Sequence, residues 1–239
     1  MSHGFYSKAH AADVDARSKE LRAFPRPVLR VRAVLPKAGP IAGAKHIHFI
    51  RHGEGHHNVA QREWLQASKD GMPYDMDHDP DFKYLDAQLT DEGERQAAAL
   101  QDQCCALQAG LSLLVVSPMR RALKTGLIAF DQVQKNRDSE GGARLQVIAH
   151  EACHEIGGFH TCDRRLPRAE LQKAYPQVDF SLIADEEDPP WGDGRRRGTL
   201  QEVPTRAAIL LAWPLGSPGE PRAAAVTPIA PHGLTLLPP

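Results

Sequence analysis

Short apolar runs alternate along this chain with segments whose apolar residues recur every three or four positions. Ile47, Phe49 and Ile50 make 46–50 an expected first strand, and the unbroken run 111–116 (LSLLVV) has the pattern of a strand buried on both faces. Residues 145–149 and 222–226 are the expected third and last strands. Thr90 is expected to open a helix reaching about residue 109. Its hydroxyl caps a free amide, and Asp91, Glu92 and Glu94 suit the positive end of the dipole. Ala97, Ala98, Leu100 and Leu107 supply its apolar contacts. Ser117-Pro118 is expected to open a second helix, serine as cap and proline at the first helical position, with Met119, Ala122, Leu123, Leu127 and Phe130 inward. Shorter helices are expected at 171–175 and 205–213. Segments 68–86, 131–143 and 185–199 read as loops, and 1–40, ending in Pro36, Gly39 and Pro40, as an extension or linker. Strands alternating with helices over 41–239 predict an α/β fold, a three-layer α/β/α sandwich on a largely parallel sheet.

The 239 residues are 41% apolar and 25% charged, so a packed core is expected. A net charge of −1 speaks against a general nucleic-acid binder, which needs a basic excess. The four cysteines, Cys104, Cys105, Cys153 and Cys162, form no CxxC pair, so neither a zinc frame nor a disulfide scaffold is expected. Free thiols fit a reducing cytosol, and a cytoplasmic location is expected. The first residues lack the apolar core of a secretory signal. The basic stretch from Arg17 to Arg32 is interrupted by acidic Glu20 and preceded by Asp13 and Asp15, against an organelle transit peptide. No apolar run reaches membrane-spanning length, so no membrane partner is expected.

Chemistry gathers where the expected strands end. Arg51-His52-Gly53 follows the first strand; VVSPMRRALKT sets Arg121 at the start of a helix after the second; HEACHEIGGFHTCDRR brings carboxylates after the third. Open α/β sheets place ligands at this carboxyl edge. Three strand ends of complementary charge outline a phosphate pocket, although an RHG tripeptide alone is a weak signal.

Those segments, with LDAQLTDEGERQA (85–97), the E-x-x-G-x-x-x-C-D-x-R pattern at 155–165 and YPQVDFSLIADEEDPPW (175–191), resemble the histidine phosphatase superfamily. The likeness is to its phosphoglycerate mutase-like branch of plant and fungal proteins. It implies that His52 is phosphorylated and that Arg51 and Arg121 bind phosphate oxygens. It also implies that Asn58 lies at the substrate rim and Arg62 stands as a second substrate-binding arginine. Glu155 is implied as the acid that protonates the leaving oxygen, with Glu151 the runner-up. The substrate is then a small phosphorylated molecule, and neither metal nor cofactor is needed. A neutral imidazole, ordinarily near pKa 6.5, is an available nucleophile. Planar guanidinium forks screen a phosphate dianion best.

Other clusters carry blander readings. His56 and His57 line the pocket mouth. Asp75, Asp77, His78 and Asp79 lack the spacing of a calcium loop and read as solvated. Arg195, Arg196 and Arg197 read as a solvated turn, and Cys153 and Cys162 as core.

The resemblance breaks near the C-terminus. The superfamily's second histidine directly follows a late strand; here Thr227 is followed by Pro228, and the nearest candidate is His232. Prolines crowd the tail from about 204, where a parallel strand or core helix tolerates them poorly. The tail is therefore read as aberrant, the product of a shifted frame, and activity as impaired if it is genuine. The function expected is a metal-independent phosphomonoester hydrolase acting through phosphohistidine. A phospho-ligand-binding pseudoenzyme and a phosphoglycerate-type mutase are the alternatives, and the oligomeric state is not legible.

Overall fold

The computed structural model describes residues 47–108, 111–155, 160–188 and 222–227. Its four strands form one parallel sheet in the order β1-β4-β2-β3: β1 Ile47–Arg51, β2 Leu111–Val116, β3 Gln146–Ala149 and β4 Arg222–Thr227. The register runs Ile47 beside Ala223 to Arg51 beside Thr227, and Leu114 beside both Ala224 and Val147. With every strand parallel, the segments after β1, β2 and β3 leave from one edge.

Alternate residues of β2 enter different cores. Leu114 and Val116 join a large cluster with Met119, Leu123, Phe130, Val133, Leu171 and Phe180. Val115, with Leu113 beside it, packs on Ala152 and Cys153. Both faces are thus covered, which explains the uninterrupted apolar run.

The helices are α1 His56–Gln66, α2 Asp91–Ala98, α3 Gln101–Leu107, α4 Arg120–Ala129, α5 Asp131–Ser139 and α6 Arg168–Ala174. Thr90 caps α2 as expected, its hydroxyl accepting from the Gly93 amide at 3.0 Å. Three expectations are corrected. The single helix from Thr90 to 109 is two helices, divided at Ala99 and Leu100; the first buries Gly93 and Ala97 and the second Cys104, while Ala98 is exposed. Met119, not Ser117, is the N-cap residue of α4, and the Ser117 hydroxyl accepts from the Met119 amide at 3.4 Å. The expected loop at 131–143 is largely α5. Its polarity hid it, but one fully buried residue, Val133, anchors it, and Asp131–Lys135 and Gln132–Asn136 pair across one turn. The expected helix at 205–213, Arg195 to Arg197, the tail beyond Thr227 and His232 lie outside the described residues.

Candidate active site

The loop carrying His52 leaves β1 and is fixed through its main-chain groups by partners on other elements. The Gly53 amide donates to Thr125 Oγ1 at 3.1 Å, Glu54 N–H to Gln96 Oε1 at 2.9 Å, and Thr90 N–H to the Glu54 carbonyl at 2.9 Å. Gly53 and Gly93 meet backbone to backbone: a Cβ on Gly53 would collide with the Gly93 carbonyl, and one on Gly93 with that of Glu54. Glycine is needed at both positions for this approach.

His52 is buried, and its Nδ1 lies 2.6 Å from the Gly53 carbonyl. A carbonyl only accepts, so Nδ1 carries the proton and Nε2 keeps its lone pair. Burial first, and the Arg121 charge second, hold this imidazole down at about pH 3. Arg51 adds a smaller push in the same direction from an exposed position at the strand's end. His52 is therefore neutral at physiological pH.

Arg121, in the first turn of α4, has no exposed surface. Its Nη1 donates to the Cys162 carbonyl at 2.7 Å and its Nη2 to Asp163 at 2.8 Å, while Glu155 Oε1 lies 4.0 Å from Nη2. Its Nε is buried without a hydrogen-bond partner. Opposing buried acids, Asp163 foremost, keep the guanidinium charged against the cost of its burial. A fixed cation with an unused donor beside a neutral imidazole can take up a tetrahedral anion.

An aromatic wall continues from His52. The His57 ring lies 5.8 Å from that of His52, Tyr74 lies 5.9 Å from His57, and His160 lies 4.9 Å from Tyr74. His160 closes back towards the cation, with Asp163 at 3.8 Å and Asp75 at 3.3 Å. His57 is buried with its Nδ1 unpartnered, and burial, then the Arg121 charge, holds its pKa far below the ordinary value. It is a wall residue rather than part of an open mouth; His56 is exposed.

The remaining expected residues separate. Glu155 stands beside Arg121, whereas Glu151 faces Arg165 at 3.4 Å. Asn58 works as a cap, its Oδ1 accepting from the Gly55 amide at 2.9 Å. Arg62 is exposed and paired with Glu54 at 2.6 Å, so its charge is already matched. Asp79, expected in solvent, is buried: its carboxylate accepts from the Lys83 and Tyr84 amides and from the Thr161 hydroxyl. Cys153 and Cys162 are buried and in no disulfide.

Sequence reasoning missed Asp86, Asp163 and Thr125. Asp86 is fully buried at a positive φ of 43° and accepts from the Arg120 amide at 2.8 Å and the Leu166 amide at 3.2 Å. It ties the start of α4 to the acid-bearing segment, and burial, opposed by Arg120, lifts its pKa to about 6. A short polar residue tolerating the left-handed region was the one available signal.

Two groups of three ligand-type side chains converge among the described residues: His160, Cys162 and Asp163, and Glu151, His154 and Asp188. Each already contains a carboxylate facing a buried guanidinium, Asp163 with Arg121 and Glu151 with Arg165. A cation placed there would meet that charge, so neither fits a metal.

The sequence profile of the Histidine phosphatase superfamily (branch 1) matches residues 82–225, more than half of the chain. This chain belongs to that superfamily. It is 29% identical over 194 residues to an Arabidopsis thaliana "Phosphoglycerate mutase-like protein", covering 73% of this chain and 67% of the relative. It is 31% identical over 194 residues to "Phosphoglycerate mutase-like protein 1" of the same plant, covering 73% and 64%. The chain thus spans about two thirds of the length of these relatives. Among solved structures, "Mycobacterial hydrolase 1" aligns over 77% of this chain and 73% of its own, at 20% identity and a TM-score of 0.42. No described helix is long and apolar enough to cross a membrane.

Proposed function

We propose that the protein is a metal-independent phosphomonoester hydrolase working through a phosphohistidine at His52. Membership of the superfamily supports phosphatase or mutase-type activity. The observation that carries the finer reading is the neutral His52 ring, its Nδ1 proton held by the Gly53 carbonyl, beside a buried Arg121 with a donor to spare.

In this reading Arg121 and Arg51 bind the dianion's oxygens and draw charge from phosphorus. His52 Nε2 attacks; the N–P bond forms as the bond from phosphorus to the leaving oxygen breaks. Glu155 gives that oxygen its proton, a contribution of ~10²–10⁴-fold. Water then attacks the phosphohistidine, Glu155 takes back a proton, and inorganic phosphate leaves with His52 restored.

Hydrolysis of p-nitrophenyl phosphate and of a phosphometabolite panel, without added metal, tests this. Wild type should turn over, and His52→Ala should lose on the order of 10⁴-fold or more. Glu155→Gln should lose on the order of 10²-fold or more on alkyl phosphates but little on p-nitrophenyl phosphate, whose leaving group departs unprotonated. Wild type binding phosphate with no turnover would establish the pseudoenzyme instead.

A further inference from the structure

We infer that Thr125 is a positioning residue for this reaction, holding the His52 imidazole in its nucleophilic form through the backbone of Gly53. The inference rests on the reading of His52 as nucleophile. Thr125 lies on α4 one turn after Arg121 and is fully buried. Its O–H donates to the Arg121 carbonyl at 2.7 Å, the back-bond that helical threonines commonly make. The same oxygen accepts from the Gly53 amide at 3.1 Å, across 72 residues of sequence. That second bond is not a helical habit, and it lands on the residue following the nucleophile.

Gly53 in turn sets the ring: its carbonyl receives the His52 Nδ1 proton at 2.6 Å. The peptides on both sides of Gly53 are pinned, one by Thr125 and the other by Gln96 through the Glu54 amide. A glycine without such pins rotates freely, and its carbonyl would no longer select one tautomer. The hydroxyl therefore couples two things the reaction needs in register. It is bonded to the main chain of the phosphate-gripping arginine and to the loop presenting Nε2. The serial arrangement is Arg121 carbonyl, Thr125 hydroxyl, Gly53 backbone and His52 ring.

Thr125→Val keeps the shape and removes the hydroxyl; Thr125→Ser keeps the hydroxyl and removes the methyl. With p-nitrophenyl phosphate, Thr125→Val should lower kcat on the order of 10- to 100-fold, the scale of a slight misplacement of reacting groups. KM should change by less than about threefold, and Thr125→Ser should stay within about threefold of wild type in kcat. Nitrogen-15 NMR of histidine-labelled wild type should show His52 protonated on Nδ1 and unprotonated on Nε2, and Thr125→Val should show a tautomer mixture. Wild-type kcat in Thr125→Val, or a serine variant as slow as the valine one, would overturn the inference. So would a wild-type His52 protonated on Nε2, a result that needs no variant to fold. Turnover surviving His52→Ala would reject the nucleophile reading, while the tautomer measurement would still judge the Thr125 link by itself.

Discussion

Two arginines are buried among the described residues, and they are used in opposite ways. Arg165 spends all five of its N–H donors. Nη1 bonds the Leu166 and Glu186 carbonyls, Nη2 those of Asp185 and Glu187, and Nε meets Glu151 at 3.4 Å. It stitches residues 185–187 onto the chain at Arg165 and Leu166. Arg121, equally buried, has two such bonds and a buried Nε with none. A saturated guanidinium is a structural staple. An under-satisfied one beside a neutral histidine keeps a donor unused, which in the function proposed above is the donor that an anion takes up. Satisfaction of the donors, rather than burial or charge, separates the two.

Replacing each arginine by lysine tests that contrast. Arg121→Lys should lower kcat/KM by ~10²–10³-fold, the usual loss when a fixed donor to developing charge is removed. Arg165→Lys should lower unfolding stability by about 2–4 kcal/mol, since several carbonyls lose their partners, with kcat/KM of the folded protein changed less than about threefold. Reversed outcomes would mean that the two are misassigned.

A smaller effect follows from the acid side of the same site. His52 has a folded pKa lowered from 6.5 to about 3. Its contribution to stability is present above 6.5 and is lost as pH falls through that window, because the unfolded chain takes up the proton first. Between pH 7 and 5 this group alone should remove about 2 kcal/mol. His57 acts in the same direction; Asp86, raised to about 6, acts oppositely, losing stability as pH rises through that value. Denaturant unfolding of wild type and His52→Asn at both pH values isolates the His52 share, and equal losses in the two proteins would refute it. The smallest effect is at Arg62. Its pair with Glu54 is half in solvent, so Arg62→Gln should shift stability by less than about 1 kcal/mol. An unchanged KM in that variant would sharpen the distinction between this surface arginine and Arg121.

The strands and the strand-end chemistry were legible because they are local. The apolar run 111–116 and the cap at Thr90 each declare themselves within a few residues, whereas the RHG turn gains meaning only beside the other strand ends. Arg121 was singled out by its place at the start of a helix after a strand and Glu155 by the family resemblance, and the structure brings them to within 4.0 Å. What could not be read depends on partners far away in sequence. Thr125 meets Gly53, Asp86 meets Arg120 and Leu166, and Arg62 pairs with Glu54. The α5 helix was hidden for another reason. Eight of its nine residues are polar, and its one buried anchor, Val133, gives no visible period.

Trapping the covalent intermediate is the most direct test of the central claim. A rapid alkaline quench during turnover of a slow phosphomonoester, followed by peptide mass spectrometry, should find a phosphoryl group on His52 and none in His52→Ala. Steady turnover with His52 unmodified at every time point, or full activity in the variant, would contradict the account.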